Sequence, residues 1–329
     1  MPERAEELRA AIAAVRAACR VCRAVQDRML GGALEKRDRS PVTVADFASQ
    51  AIVCRAIAGA FPDDPIVAEE DSEELRRESN ARLRAAVVER VGAEIGSRVA
   101  PEEVLAWIDL GGAEAEDGRY WTLDPIDGTK GFLRGEQYAV ALGLIEAGEV
   151  VLGVLGCPNL PAADGSRGAL FAATRGGSAR ALPLWVEGAS PGARVEVDRI
   201  RSAAEARFCE SVESEHSNQE ESARIAHLLG ISSEPVRIDS QCKYAAVARG
   251  DASIYLRMPT REDYREWIWD HAAGKLLVEA AGGRVTDVDG RPLDFGRGAT
   301  LDRNRGIVAT CGSIHDEVLE AICRVRRGA

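Results

Sequence analysis

No apolar run in this chain of 329 residues reaches the length of a membrane span, and no internal repeat or low-complexity tract appears. Basic residues are also in deficit. Lysine and arginine total 42 against 53 acids, a formal net charge of −11. That balance excludes general binding to nucleic acid or an anionic membrane, which needs a basic footprint; a small anion held by a local group of cations stays open. The string GxxxxGK[ST] is missing, and the glycines from Gly143 to Gly156 have hairpin spacing instead of opening a helix after a strand. A P-loop NTPase or dinucleotide enzyme therefore lacks support. Eight cysteines in so long a chain are too sparse for a disulfide scaffold. Cys19 and Cys22 form a lone CxxC with no second pair at zinc spacing. They read as a buried helix face, since free cysteine packs as a small hydrophobe, with a reversible disulfide as the alternative.

What is present describes an ordinary globular protein: 46% hydrophobic and 29% charged residues, enough to bury a core, over a length that suits two closely joined domains. The opening MPERAEELRAAIAAV is amphipathic and lacks a signal-peptide core, so a cytoplasmic location is expected. Residues 3–30 predict a long helix closed by Gly31-Gly32. Ser40-Pro41 reads as a break, after which 43–60 resumes a helical period. Ile66-Val67-Ala68 is a short strand candidate running into acids, and 72–106 reads as helical. The glycine-bearing stretch 111–118 reads as a loop. Two pairs of apolar runs, 138–145 with 150–155 and 169–174 with 179–184, carry hairpin punctuation. The segment EGASPGAR (187–194) is the most linker-like, which divides the chain into 1–190 and 191–329. Beyond it strands and helices alternate, the rhythm of an α/β layer.

The most informative stretch is WTLDPIDGTKGFLRGEQY, 121–138. Asp124 and Asp127 stand three residues apart, Pro125 forbids regular continuation, and Gly128 permits a sharp turn. Two carboxylates at a strand end, beside free carbonyls, suit a hard oxygen-seeking cation such as Mg²⁺. The Gly128-Thr129 amides, opening a helix, suit a phosphate. Further acids stand at other element ends: Asp46, Glu69 and Asp270. Taken singly, Asp270 reads as a helix N-cap and Glu69-Glu70-Asp71 as a solvated turn. Lys243 and Arg257 supply positive charge in the second half, or a solvated face. His216 sits in a polar loop, and Tyr264, Trp267 and Trp269 read as a base-stacking surface or as core, the latter preferred for Trp269.

The strings TVADFASQ (43–50), VAEED (67–71), DPIDGTKGF (124–132) and WDHAAGKLLVEAAGG (269–283) resemble, in order, the signature segments of the inositol-monophosphatase-like, Mg²⁺-dependent, lithium-sensitive phosphatases. The extended DPIDGTKGFLRGEQYAVALGLI, GCPNLP (156–161), SVESEHSNQE (211–220) and IDSQCKYAAVARGDASIYLRMP (238–259) are most similar to the 3′(2′),5′-bisphosphate nucleotidase branch. The resemblance covers nearly the whole chain. It implies a layered αβαβα sandwich of the inositol monophosphatase/fructose-1,6-bisphosphatase type, with an α+β N-terminal domain and an α/β C-terminal domain. It implies that Glu69, Asp124, the Ile126 carbonyl, Asp127 and Asp270 hold on the order of two or three Mg²⁺ ions, with Asp127 bridging. Asp46 and Thr129 would orient and deprotonate the attacking water. Gly128 and Thr129 would hold the phosphate, and His216, Ser240, Lys243 and Arg257 the nucleoside and its 5′-phosphate. The expected reaction is hydrolysis of 3′-phosphoadenosine 5′-phosphate to AMP and phosphate, in the setting of sulfur metabolism. The expected partner is a small nucleotide, without nucleic acid or membrane, and the protein a monomer or homodimer. The competing readings are an inositol monophosphatase or other sugar-phosphate phosphatase, which would not need Lys243 and Arg257, and a non-catalytic nucleotide-binding regulator.

Overall fold

The computed structural model describes residues 4–31, 40–115, 118–162, 164–188, 192–212, 219–259, 261 and 263–327. Helices α1 (Ala5–Leu30) and α2 (Ser40–Ala60) form the first layer, with α4 (Ala81–Ile95) and α5 (Pro101–Asp109) against α2. Between α2 and α4 lie β1 (Ile66–Ala68) and the single turn α3 (Glu73–Arg76). Behind these helices stands a seven-stranded sheet in simple sequence order. It continues through β2 (Arg119–Asp127), β3 (Ala139–Glu146), β4 (Glu149–Pro161), β5 (Arg167–Thr174), β6 (Arg180–Pro183) and β7 (Ala193–Arg194). The pair β1–β2 is parallel and the rest antiparallel. The six-residue α6 (Thr129–Arg134) follows β2.

The other half supplies the remaining layers. Its five-stranded sheet has the order β11-β12-β10-β8-β9, from β8 (Phe208–Glu210), β9 (Val236–Arg237), β10 (Ile254–Arg257), β11 (Arg284–Thr286) and β12 (Ile307–Thr310). Helices α8 (Cys242–Ala248) and α9 (Ala272–Ala280) pack between the two sheets, while α7 (Gln219–Leu228) and α10 (His315–Arg326) pack together on the outer face. Three buried apolar clusters fill the gaps between layers. Alternation along β3 sorts the first two: Val140, Leu142 and Leu144 face α1 and α2, while Ala139, Ala141 and Ile145 face α8 and α9. The result is the expected αβαβα sandwich.

Local readings differ in places. Ser40-Pro41 opens α2 instead of breaking the chain, because proline is tolerated in a first helical turn. The stretch 72–106 is interrupted: Gly96 takes a left-handed φ of 76° and closes α4, and Pro101 then starts α5. Cys19 and Cys22 are free thiols in the core, the helix-face reading. Among the described residues no helix is long and apolar enough to cross a membrane.

The central layer depends on small residues. Helix α9 begins Ala272-Ala273-Gly274, and a Cβ on Gly274 would lie 2.2 Å from a ring carbon of Tyr244 on α8. That contact seats α9 against α8, while Ala273 Cα would lie 3.0 Å from a Cβ on Gly153 of β4, which holds the segment bearing Asp270 close under the first sheet. Gly274→Ala should cost about 1–3 kcal/mol, the range for overpacking, in a urea melt; an unchanged midpoint would mean that this contact does not limit how closely α8 and α9 pack.

Candidate active site

Asp124 and Asp127 illustrate how the backbone builds the site. On a regular strand, residues three apart point to opposite faces. Here β2 pairs Asp124 with Ala141 and Asp127 with Ala139, so three steps on β2 match two on β3. That extra residue is a β-bulge, with Pro125, which has no N–H for the ladder, inside it. Both carboxylates consequently line one cleft of about 450 Å³. Ser49 Oγ on α2 donates to the Pro125 carbonyl at 2.9 Å and anchors the bulge. Gly128 follows at φ 91°, and a Cβ there would stand 2.9 Å from Ser240 Cβ. Glycine satisfies both the left-handed backbone and the close approach.

Glu69 reaches the same cleft by strand pairing. Ala68 lies beside Leu123 in the parallel β1–β2 register, so Glu69 and Asp124 emerge side by side. The turn is held by Gln50 of α2, whose Oε1 accepts from the Glu70 amide at 3.0 Å and whose Nε2 donates to the Glu70 and Ile108 carbonyls. Asp46, Ser49 and Gln50 share one face of α2, at the three- and four-residue spacing of a helix. Asp46 is buried beside Glu69 and Glu70 but does not itself line the cleft, whereas Thr129 does.

The second half closes the other wall with Ser240, Lys243, Arg257 and Asp270. Ser240 holds φ at 68°, a left-handed conformation uncommon outside glycine and characteristic of constrained sites. Helix α8 starts at Cys242, so Lys243 is its second residue; its Nζ stands 5.1 Å over the Tyr255 ring. Asp270 is not the N-cap of α9: His271 occupies that position, leaving the Asp270 carboxylate facing the cleft. Trp269 is buried in the core and stacks on the partly exposed Trp267, neither of them lining the cleft. His216 lies outside the described residues.

Three residues that the sequence reading passed over hold this wall. Gln241, fully buried, donates its backbone amide to Asp127 Oδ2 and its Nε2 to the Trp269 carbonyl at 2.8 Å, and accepts from the Gly274 amide at 3.1 Å. It thus ties Asp127 to the segment that bears Asp270. Glu266 and Tyr244 form a relay with His271: Tyr244 Oη to Nδ1 is 2.8 Å, Nε2 to Glu266 Oε2 is 3.2 Å, and Arg257 Nε to the same oxygen is 2.8 Å. Glu266, Asp270 and His271 bring donor atoms within 4.8 Å, yet both His271 nitrogens are engaged and Arg257 already neutralises Glu266. That relay fixes Arg257, whose Nη2 lies 3.6 Å from Asp270. The only sequence signal was position within REWIWD, which also reads as core.

The carboxylate wall is strongly self-repelling. Burial, then the charges of Glu69, Asp127 and Asp270, push Asp124 well above the ordinary carboxylate range. Burial and Asp270 raise Asp127 to about 6, against the pull of Lys243. Burial, Asp270, Glu70 and Asp127 raise Glu69, at the solvent-facing edge of the cleft, above the ordinary carboxylate range. Burial lowers Lys243, with Asp127 opposing. Asp124 Oδ1 is buried without a hydrogen-bond partner among the described residues. An orphaned carboxylate oxygen among three further carboxylates fits a hard divalent cation, and these residues are suited to hold one.

The model of the inositol monophosphatase family matches residues 3–327. The chain belongs to that family. Members of the inositol monophosphatase family are metal-dependent, generally on Mg²⁺. A 3′(2′),5′-bisphosphate nucleotidase of Oryza sativa is 47% identical across 97% of this chain and 94% of its own length. Its counterpart in Schizosaccharomyces pombe is 44% identical across 97% and 95%. Among solved structures, the inositol monophosphatase from Anabaena superposes with a TM-score of 0.63 over 96% of this chain and 95% of its own, at 22% identity. Mycobacterium tuberculosis SuhB gives 0.63 over 98% of each, at 21%. These structural likenesses carry the inositol monophosphatase fold.

Two outcomes follow from the electrostatics. A carboxylate whose pKa is raised on folding binds more protons folded than unfolded, so stability falls as pH rises through the interval between the two values. With chelator present, the melting temperature should fall between about pH 5 and pH 8, and Mg²⁺ should restore more of it at pH 8 than at pH 5. A Mg²⁺ shift independent of pH would contradict this charge cluster. Gln241→Leu should lower the melting temperature and raise the Mg²⁺ concentration giving half of the thermal shift; unchanged Mg²⁺ dependence would leave Gln241 a purely structural role.

Proposed function

We propose that this protein is a Mg²⁺-dependent phosphomonoesterase that removes the 3′-phosphate from 3′-phosphoadenosine 5′-phosphate, yielding AMP and phosphate. The observation that carries the reading is one cleft lined by both kinds of charge: the carboxylates of Glu69, Asp124, Asp127 and Asp270 together with the cations Lys243 and Arg257. The bisphosphate nucleotidase names of the relatives agree with it. Residues 1–190 supply most of the metal donors; residues 191–329 supply Asp270 and the nucleotide-binding side chains.

In this reading Glu69, Asp124, the Ile126 carbonyl, Asp127 and Asp270 would hold about two or three Mg²⁺ ions, whose bound chemistry would be a more acidic water and a neutralised leaving oxygen. Thr129, which lines the cleft, orients the water and relays its proton to Asp46 behind it. Burial holds Asp46 well above the ordinary carboxylate range, helped by Glu70 and Glu69, which makes it a stronger base than a solvated aspartate. The Gly128 and Thr129 amides receive the scissile phosphate. Arg257, locked by Glu266, presents its planar fork to the second phosphate, with Lys243 and Ser240 beside it and His216 on the nucleoside. Two anionic groups on one substrate explain why the cleft carries cations as well as metal donors. A cytoplasmic enzyme is consistent with eight reduced cysteines.

Purified protein with Mg²⁺ should release phosphate from 3′-phosphoadenosine 5′-phosphate far faster than from inositol 1-phosphate, and chelator should abolish release. Faster turnover of inositol 1-phosphate would overturn the substrate assignment. Arg257→Ala should raise KM for the bisphosphate about 10- to 100-fold, the worth of a charge-assisted hydrogen bond. An unchanged KM would favour a substrate with one phosphate. Full activity in Asp127→Asn would place the metal centre elsewhere.

A further inference from the structure

A second cleft, of about 910 Å³, lies between α1 and the β5–β6 edge of the first sheet. Its charge is unusual for so acidic a chain. Four guanidiniums, Arg9, Arg16, Arg20 and Arg180, line it against a single carboxylate, Glu187. Arg16 is the informative one. It is 8% exposed, its Nη2 donates to the Pro183 carbonyl at 2.9 Å, and its Nε is buried with no hydrogen-bond partner among the described residues. It also enters no ion pair among them. The one carboxylate in the cleft, Glu187, is 74% exposed and pairs directly with Arg20 at 3.1 Å, its charge reaching Arg16 only at longer range, and Arg20 also pairs with Glu94 at 2.7 Å.

Burying a cation without a direct ion-pair partner is expensive, and an unused guanidinium N–H adds to that cost. A structural arginine would be satisfied; this one faces a cleft large enough to hold a small molecule. The remaining wall is apolar, from Leu8 and Ile12 on α1 and Leu182 on β6. Position along α1 accounts for the grouping, because residues 8, 12, 16 and 20 recur at the four-residue spacing of one helix face.

We infer that this cleft is a second ligand site, separate from the carboxylate cleft, which takes a small organic anion: a phosphate ester or carboxylate on Arg16, with an apolar body against Ile12 and Leu182. Guanidinium nitrogens in a planar fork match either head group, and the low polarity of the surroundings strengthens the pairing.

The test is calorimetric titration of the full chain with phenyl phosphate, octanoate and inorganic phosphate, with chelator present. Both amphipathic probes should bind the wild type, and more tightly than inorganic phosphate. Arg16→Met, which replaces an unpaired buried charge with an apolar side chain of similar length, should fold, retain phosphatase activity within about twofold, and weaken both probes by about tenfold or more. Lys243→Met, in the carboxylate cleft, should leave octanoate binding unchanged. Identical isotherms for wild type and Arg16→Met would overturn the site, and inorganic phosphate binding as tightly as both amphipathic probes would overturn the ligand class. Hydrogen exchange on the wild type gives a check that no substitution can spoil. Octanoate should slow exchange in residues 8–20 and 177–182; slowing confined to 124–131 would refute the assignment.

Discussion

Mutual repulsion among carboxylates crowded into one cleft is the constraint around which this structure is arranged. Glu69, Asp124, Asp127 and Asp270 come from three separate regions of the chain, and at low local dielectric their charges oppose one another strongly. Nothing in their own chemistry draws them together. They meet because neutral groups elsewhere hold the backbone: Ser49 on the Pro125 carbonyl, Gln50 around Glu70, and Gln241 between Asp127 and the start of α9. Each anchor joins a side chain to main chain, the Gln241 amide donating to the Asp127 carboxylate itself, so the geometry is set before any cation arrives.

The layers explain how one helix serves both halves. Helix α9 packs against the first sheet and against α8, and also meets strands of the second sheet. Its small first turn allows the approach, and Asp270 rides just ahead of that turn. Arg257 ends β10, where Glu266 and the His271–Tyr244 pair lock it. The negative wall therefore belongs mainly to the first sheet and the positive wall to the second, and the cleft is the seam between them. A substrate bearing two phosphates is the natural occupant of such a seam under the proposed reading, while a cation alone would need only one wall.

Much of this was legible in the chain. The long first helix, the hairpins at 138–155 and 169–184, and the alternation after residue 207 follow from apolar periodicity and glycine punctuation, which act locally. The errors were also local in cause. Ser40-Pro41 looks like a break because proline stops helices from within, yet the same residue starts them. The stretch 72–106 has one composition throughout, and only the backbone at Gly96 reveals that it turns. Asp270 looked like a cap because the pattern before Ala272 permits it, and it took α9's seating to show His271 in that place. Gln241 and Tyr244 gave no warning and Glu266 little, since a buried glutamine or glutamate is recognised by its partners, and those of Gln241 lie 28, 33 and 114 residues away in sequence.

By itself the sequence determined which charged side chains stand at element ends and most of the segments that are strand or helix, because charge, proline and glycine act on their immediate neighbours. Tertiary structure decided direction and company. A bulge turned Asp127 to the side of Asp124, a parallel register set Glu69 next to them, and packing between two sheets brought Asp270 and Arg257 across the seam. Those outcomes depend on contacts between residues far apart along the chain, whose energies no local pattern records.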